Sequence, residues 1–146
     1  MIISDDKIDI WRFHKKYPIC ITTNGFVKNG TGECVMGRGI ALEAKNKFPK
    51  LPKELGFKIT KFGNDVFYFK DYNLFSFPVK HNWFEKADLK LIEKSCIQLL
   101  GLVNDYKFTN IFLPKVGCGN GKLLWKDVKP ILEFILDDRF YIIDNN

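Results

Sequence analysis

Thr109-Asn110-Ile111-Phe112-Leu113-Pro114-Lys115-Val116-Gly117-Cys118-Gly119-Asn120-Gly121 is the stretch on which the fold turns. Its first part, Thr109 to Leu113, is a short apolar run with β-branched and aromatic members. It reads as a strand buried on both faces. Pro114 ends that run and a loop with three glycines in five positions follows. One glycine serves a tight turn. Several in succession let consecutive backbone N–H groups converge on an anion. A buried strand that opens into such a loop is the arrangement by which α/β sheets hold ligands beyond the carboxyl ends of their strands.

The same arrangement occurs earlier in the chain. Ile19-Cys20-Ile21-Thr22-Thr23 is a β-branched run that follows Pro18 and ends at Asn24-Gly25, a strand and a turn. From Asn24 to Gly39 the chain is polar and rich in glycine, a length of loop that compact domains keep for a function. It leads into Met36-Gly37-Arg38-Gly39-Ile40-Ala41-Leu42. Ile40, Ala41, Ala44 and Phe48 share a helical face, and Pro49 stops the run. Glycines that allow close backbone approach, followed by a helix start with free N–H donors, suit a pyrophosphate or a ribose. The segment is neither GxGxxG nor a Walker A loop.

The remaining elements alternate in type. Ile8 to Phe13 reads as a short strand, and Asp65 to Phe69 and Leu74 to Phe77 as two strands around Lys70-Asp71-Tyr72-Asn73. Asp88 can cap a helix along which Leu89, Ile92, Cys96, Leu99 and Val103 recur near the helical period. A last helix is expected from about Lys126 to Leu136, with Pro130 in its first turn, and Phe140 to Ile143 closes as a strand. The expectation is an α/β sandwich with helices on both faces of the sheet.

At 146 residues one domain, residues 1–146, is expected, and 46% hydrophobic residues with 14 phenylalanines exclude a disordered chain. The net charge of +6 comes from basic residues scattered among aromatics. That pattern serves a solvated basic surface as well as a polyanionic partner, and it does not describe a sequence-specific DNA reader. Cys20, Cys34, Cys96 and Cys118 form no CxxC pair and no zinc-finger set with the histidines, so neither a metal nor a disulfide framework is expected. The opening Met1-Ile2-Ile3-Ser4-Asp5-Asp6 turns acidic too early for a signal peptide, and no apolar run approaches the roughly 20 residues of a membrane span. A cytoplasmic, monomeric protein without cofactor or membrane partner is expected.

Phe77-Pro78-Val79-Lys80-His81-Asn82-Trp83 places Lys80 and His81 at a strand end. An ordinary surface lysine fits there, and so does a nucleophile if apolar or cationic neighbours depress its pKa. Cys118 is a weaker candidate, because His14 and His81 are the only histidines and neither is an evident base for it.

Taken in order, ICITTN (Ile19 to Asn24), VMGRGIALEAKNKF (Val35 to Phe48), FPVKHNW (Phe77 to Trp83) and LPKVGCGNGKLLWKDV (Leu113 to Val128) resemble the macro domain family, nearest its DarG-type branch, which removes ADP-ribose from DNA, and stand-alone, often phage-encoded, macro domains. The resemblance implies a three-layer α/β/α fold around a mixed central sheet, with ADP-ribose in a surface cleft. It implies adenine contact by Asp9 with Ile10 beside it, and a distal ribose near Thr23 and Asn24. Met36, Gly37, Arg38, Gly39 and Ile40 match the first ligand loop. Gly117, Cys118, Gly119, Asn120 and Gly121 match the second, around the pyrophosphate. Lys80 matches the lysine on which DNA-directed relatives depend, with His81 beside it. Ile8 stands where the family usually has glycine, and Gly121 where some lysine-dependent relatives carry an aspartate. Phe26 to Glu33 looks inserted. The implied activity is hydrolysis of the bond to ADP-ribose, on DNA first. Dephosphorylation of ADP-ribose 1″-phosphate and binding without turnover are the alternatives.

Overall fold

The computed structural model describes residues 1–144; Asn145 and Asn146, the last two residues of the expected domain, lie outside the described residues. Six strands form one sheet: β1 (Ile2–Lys7), β2 (Ile19–Asn24), β3 (Phe67–Phe69), β4 (Leu74–Lys80), β5 (Ile111–Pro114) and β6 (Phe140–Asp144). Their order is β1-β6-β5-β2-β4-β3. Only β3 is antiparallel to its neighbour, so the sheet is mixed.

Alternation along the strands divides the core in two. Cys20, Phe75, Phe77, Val79, Ile111, Leu113, Phe140 and Ile142 face α4 (Leu89–Tyr106) and α5 (Trp125–Ile135). Ile19, Ile21, Leu74, Phe112 and Ile143 face α1 (Trp11–His14), α2 (Gly39–Lys47) and α3 (Leu51–Phe62). Successive strand residues point to opposite faces, and both faces here are apolar because both are covered. The expected three layers are therefore present. Cys20 and Cys96 are core thiols, as expected, and all four cysteines are free. No helix of the described residues is long and apolar enough to cross a membrane.

Two expectations need correction, and one helix was not expected. Ile8 to Phe13 is not a strand: Ile2–Lys7 is, paired in parallel with β6 through Ile2–Tyr141 and Ile3–Ile142, and Trp11–His14 is a short helix. The early acidic residues that argued against a signal peptide lie on an exposed edge strand, where charge is tolerated. Lys50 to Asn64 had no assigned element, yet Leu51–Phe62 is a helix with Pro52 in its first turn, where a proline costs no hydrogen bond. Pro130 lies inside α5, past the first turn in which it was expected, and the helix begins one residue earlier, at Trp125.

α3 has a specific task. Gly56 on its buried face meets the backbone of the Asn24–Gly39 loop: a Cβ there would collide with the Gly32 carbonyl oxygen and lie 3.0 Å from its carbon and 3.1 Å from the Cys34 nitrogen. The Cys34 N–H donates to the Pro52 carbonyl (2.9 Å) close by. Gly56→Ala gains about 1 kcal/mol of helix propensity but forces two backbones apart. We expect net destabilisation of about 1–3 kcal/mol, read as a lower midpoint in thermal denaturation.

Candidate functional site

The chain leaves β2 toward β3 and β4 on one side, then crosses to β5 on the other, so β2 and β5 flank the topological switch point. Their ladder is a single registered pair, Ile19–Phe112. Beyond it the strands separate, and the loops after β2, β4 and β5 emerge at that end beside the last residue of β6, Asp144. They enclose a cleft of about 660 Å³, within the range of small-molecule sites.

One wall is the first glycine loop. Gly39 has φ +56°, a left-handed conformation that glycine adopts without penalty, and it opens α2. No side chain caps that helix, so the N–H groups of its first turn remain available to an anion beside Gly39, Ile40 and Ala41, all of which line the cleft. Met36, Gly37 and Arg38 line it as well. Thr23 and Asn24 form the floor. Asn24 also has a structural role: its Nδ2 donates to the Val35 carbonyl (2.9 Å) and its Oδ1 accepts from the Phe26 N–H (2.9 Å). These bonds hold both ends of the segment from Phe26 to Glu33. The Val27–Cys34 bridge closes that segment into a narrow hairpin, and Phe26 and Lys28 present it to the cleft. The segment is a wall of the site.

The opposite wall is the second glycine loop, with Gly117, Cys118, Gly119, Asn120 and Gly121 all on the cleft. Gly117 has φ +77°, and a Cβ there would lie 2.8 Å from Ile92 Cδ1. The turn is tied by the Leu123 N–H to the Gly117 carbonyl (2.9 Å) and by the Ala87 N–H to the Gly121 carbonyl (3.0 Å). The two loops nearly touch, since Asn120 Nδ2 stands 3.1 Å from the position a Cβ on Gly39 would take. Cys118 is half-buried, and burial raises its thiol pKa against a smaller opposing effect of Lys115. Cys34 is pushed up to about 12 by burial. Neither is a thiolate near neutral pH, which argues against a cysteine nucleophile.

Between the walls stands Lys80, the last residue of β4. Its carbonyl accepts from the Gly25 N–H (3.1 Å) and from Asn64 Nδ2 (3.0 Å), which fixes the backbone from which the side chain projects. Two residues earlier on β4, the Pro78 carbonyl accepts from the buried Ser95 hydroxyl (2.7 Å). The Nζ donates to the Trp83 carbonyl at 3.4 Å. Partial burial, then the nearby charges of Arg38 and Lys122, lower the Lys80 pKa below the ordinary lysine value. The cationic neighbours that sequence could not supply are thus residues from the two glycine loops.

Three expected site residues lie elsewhere. Ile10 is 0% exposed and packs in the core under α1 and α2. His81 turns away to Asp88, Nε2 to Oδ2 2.9 Å, reinforcing the cap of α4. Asp9 does not line the cleft: its Oδ1 accepts from the Trp11 N–H (3.1 Å). It stands next to Ile8, whose N–H donates to the carbonyl of Asp144 (3.3 Å), and Asp144 is a cleft residue that pairs with Lys115 (3.8 Å). Sequence reasoning missed Asp144, Lys122, Trp83 and Asn64. Only Trp83 left a trace, as an aromatic in an otherwise polar turn.

Comparison with solved structures decides the fold. The macrodomain of Mycobacterium tuberculosis DarG superposes with a TM-score of 0.79 at 23% identity, covering 99% of each chain. The chain has the macrodomain fold. Thermosipho africanus DarTG in complex with ADP-ribose matches at a TM-score of 0.74 and 19% identity, over 90% of this chain and 38% of that chain. In sequence, the DNA ADP-ribosyl glycohydrolase of M. tuberculosis is 28% identical over 104 residues, 65% of this chain and 30% of the relative. That of Thermus aquaticus is 28% identical over 112 residues, 70% of this chain and 31% of the relative. The chain thus spans about a third of the length of the curated relatives it matches. No family model matches the chain.

Proposed function

We propose that this macrodomain binds ADP-ribose in the β2/β5 cleft and hydrolyses the bond joining the distal ribose to a DNA base, as a cytoplasmic monomer formed by the single domain. The observation that carries the reading is the position of Lys80, a partly buried lysine with a depressed pKa held between two glycine loops. In this assignment the uncapped start of α2 and the Gly117–Gly121 loop hold the pyrophosphate, and Thr23 and Asn24 approach the distal ribose. Asp9 and Asp144 lie toward the adenine end. Water supplies hydroxide to the anomeric carbon and a proton to the departing base; the carbon–base bond breaks, with free ADP-ribose and unmodified DNA as products. Most of the rate gain is positional, because the ADP moiety is held on both sides of its pyrophosphate. Lys80 acts at the anomeric carbon, as a nucleophile in its neutral form or by stabilising charge as the ring opens. The names of the relatives, DNA ADP-ribosyl glycohydrolases, support the DNA substrate.

The test is a panel of ADP-ribosylated oligonucleotide, ADP-ribosylated protein and ADP-ribose 1″-phosphate, beside calorimetry with free ADP-ribose. Turnover of the oligonucleotide is expected, with ADP-ribose as product. Binding without turnover of any of the three would leave a reader, and absence of binding would sink the whole assignment.

The pKa of Lys80 gives a second expectation. A depressed pKa leaves more neutral amine at a given pH, so a nucleophilic lysine makes the rate rise with pH and level off above that pKa. Removing a flanking positive charge restores the lysine toward its ordinary value. Arg38→Ala is expected to shift the rising limb to higher pH, read from kcat against pH with saturating substrate. An unmoved limb would leave Lys80 only its charge-stabilising role.

A further inference from the structure

The turn that follows Lys80 carries two large aromatics into solvent. Trp83 is 47% exposed and Phe84 66%. They occupy the two central positions of a turn closed by the Glu85 N–H on the Asn82 carbonyl (3.2 Å) and by a side-chain bond from Asn82 Nδ2 to Glu85 Oε1. Such positions ordinarily go to glycine, proline, asparagine, aspartate or serine. Here the turn holds the rings edge to face, 5.5 Å between centroids and 88° between planes, with solvent on the outer faces. Neither ring is needed to form the turn, and neither is among the packed residues of the core.

Place makes the pair informative. Trp83 lines the cleft, and its carbonyl accepts from Lys80 Nζ. On the proposed reading, whatever leaves the anomeric carbon departs beside Trp83, with Phe84 next to it in the turn. Cations outnumber carboxylates around the cleft: Lys80, Arg38, Lys28 and Lys115 line it against Glu43 and Asp144, and the charge of Lys122 also acts on Lys80. Lys122 is held at φ +63°, an uncommon backbone conformation for a residue with a side chain. Flat aromatic faces beside a row of cations are the two components of single-stranded nucleic-acid binding: stacking for the bases and charge for the phosphates. A duplex offers no free base face, and a polypeptide partner would not call for stacking together with a cationic row.

We propose that Trp83 and Phe84 form a stacking platform for unpaired bases flanking the modified base of a single-stranded DNA. The proposal rests on the reading that the cleft acts on ADP-ribosylated DNA, and it adds that the protein grips the strand as well as the ADP-ribose. Specificity for DNA over modified protein then resides in this turn, since the cleft itself contacts only what the two substrates share.

The test compares the wild type with Trp83→Ala, Phe84→Ala and the aromatic replacement Phe84→Tyr. The substrates are a single-stranded oligonucleotide with one internal ADP-ribosylated base and the same ADP-ribosylated base as a lone nucleoside. For Phe84→Ala, KM on the strand is expected to rise about ten-fold, the effect of one lost stacked base, with kcat held and KM on the nucleoside changed far less. Phe84→Tyr should restore the strand KM. Trp83→Ala should show the same preferential loss on the strand. An equal change on both substrates, or none on the strand, would overturn the platform. Direct binding of an unmodified single-stranded oligonucleotide gives a readout that needs no turnover. The wild type should bind it more tightly than the Trp83→Ala, Phe84→Ala double variant, and equal affinities would again overturn the platform. If the wild type binds that strand through the pair yet hydrolyses neither substrate, the hydrolase reading fails and the platform stands.

Discussion

Lys80→Ala is expected to lower hydrolysis of ADP-ribosylated oligonucleotide by about 10³-fold or more, the scale set by losing a group that acts at the reacting atom. Affinity for free ADP-ribose should change little, because the proposed assignment gives the pyrophosphate contacts to backbone N–H groups of the two glycine loops. The variant should also fold normally. Lys80 is held in place through its carbonyl, by Gly25 and Asn64, and those bonds do not involve the side chain. The split between activity and binding is the decisive measurement. A variant that binds ADP-ribose and turns over as fast as wild type would remove Lys80 from the mechanism. A variant that loses both would show that the lysine serves binding. Lys80→Arg sharpens the comparison, since it keeps the charge without a titratable amine. If the lysine works only by charge, the arginine retains much of the rate; if it works as a nucleophile, it does not.

The second large effect is expected at Gly121, where some lysine-dependent relatives carry an aspartate. Inserting that aspartate should not add an acid to the mechanism. A Cβ on Gly121 would lie 2.5 Å from the Gly117 carbonyl oxygen, 2.8 Å from its carbon and 2.9 Å from Ala87 Cβ. Two of these atoms are backbone of the same loop and cannot rotate aside. Gly121→Asp is therefore expected to displace the second glycine loop, with about 1–3 kcal/mol of destabilisation and an ADP-ribose affinity weakened about ten-fold or more, since each 1.4 kcal/mol lost from the contact is a factor of ten. Gly121→Ala is the control. It introduces the same Cβ without charge, so it should reproduce most of the loss in thermal denaturation and calorimetry. Full activity in Gly121→Asp would show that the loop yields more easily than its packing implies. The second glycine loop has no room for a carboxylate at this position.

Much of this site was legible along the chain. A β-branched run opening into clustered glycines marks a buried strand and a backbone that must approach something closely, and both loops so marked form walls of the cleft. Those features are local: they depend on neighbours a few residues apart. The covering of both faces of the sheet also followed, because strands apolar on both sides need helices on both sides; that the sheet is mixed was implied by the resemblance alone. The N-terminal strand did not. Ile2–Lys7 is mostly polar, and its pairing is supplied by β6, some 140 residues away. α3 was hidden by Pro49 before it and Pro52 in its first turn, since the effect of a proline depends on its position relative to the helix. His81 was drawn into the site by its neighbour Lys80, though consecutive residues at a strand end point in different directions, and Asp88 claims it.

What the sequence determined by itself was the chemistry offered: glycines where the backbone must be bare, a lysine at a strand end, and an aromatic in the turn beyond it. What only the tertiary structure decided was which of these meet. The β2/β5 divergence opens the cleft, Arg38 and Lys122 arrive from separate loops to depress the Lys80 pKa, and Asn64 reaches across from the end of α3 to hold its carbonyl. Electrostatic shifts and steric limits depend on distance in space, which residues far apart in the chain acquire only when the sheet brings their loops to one end.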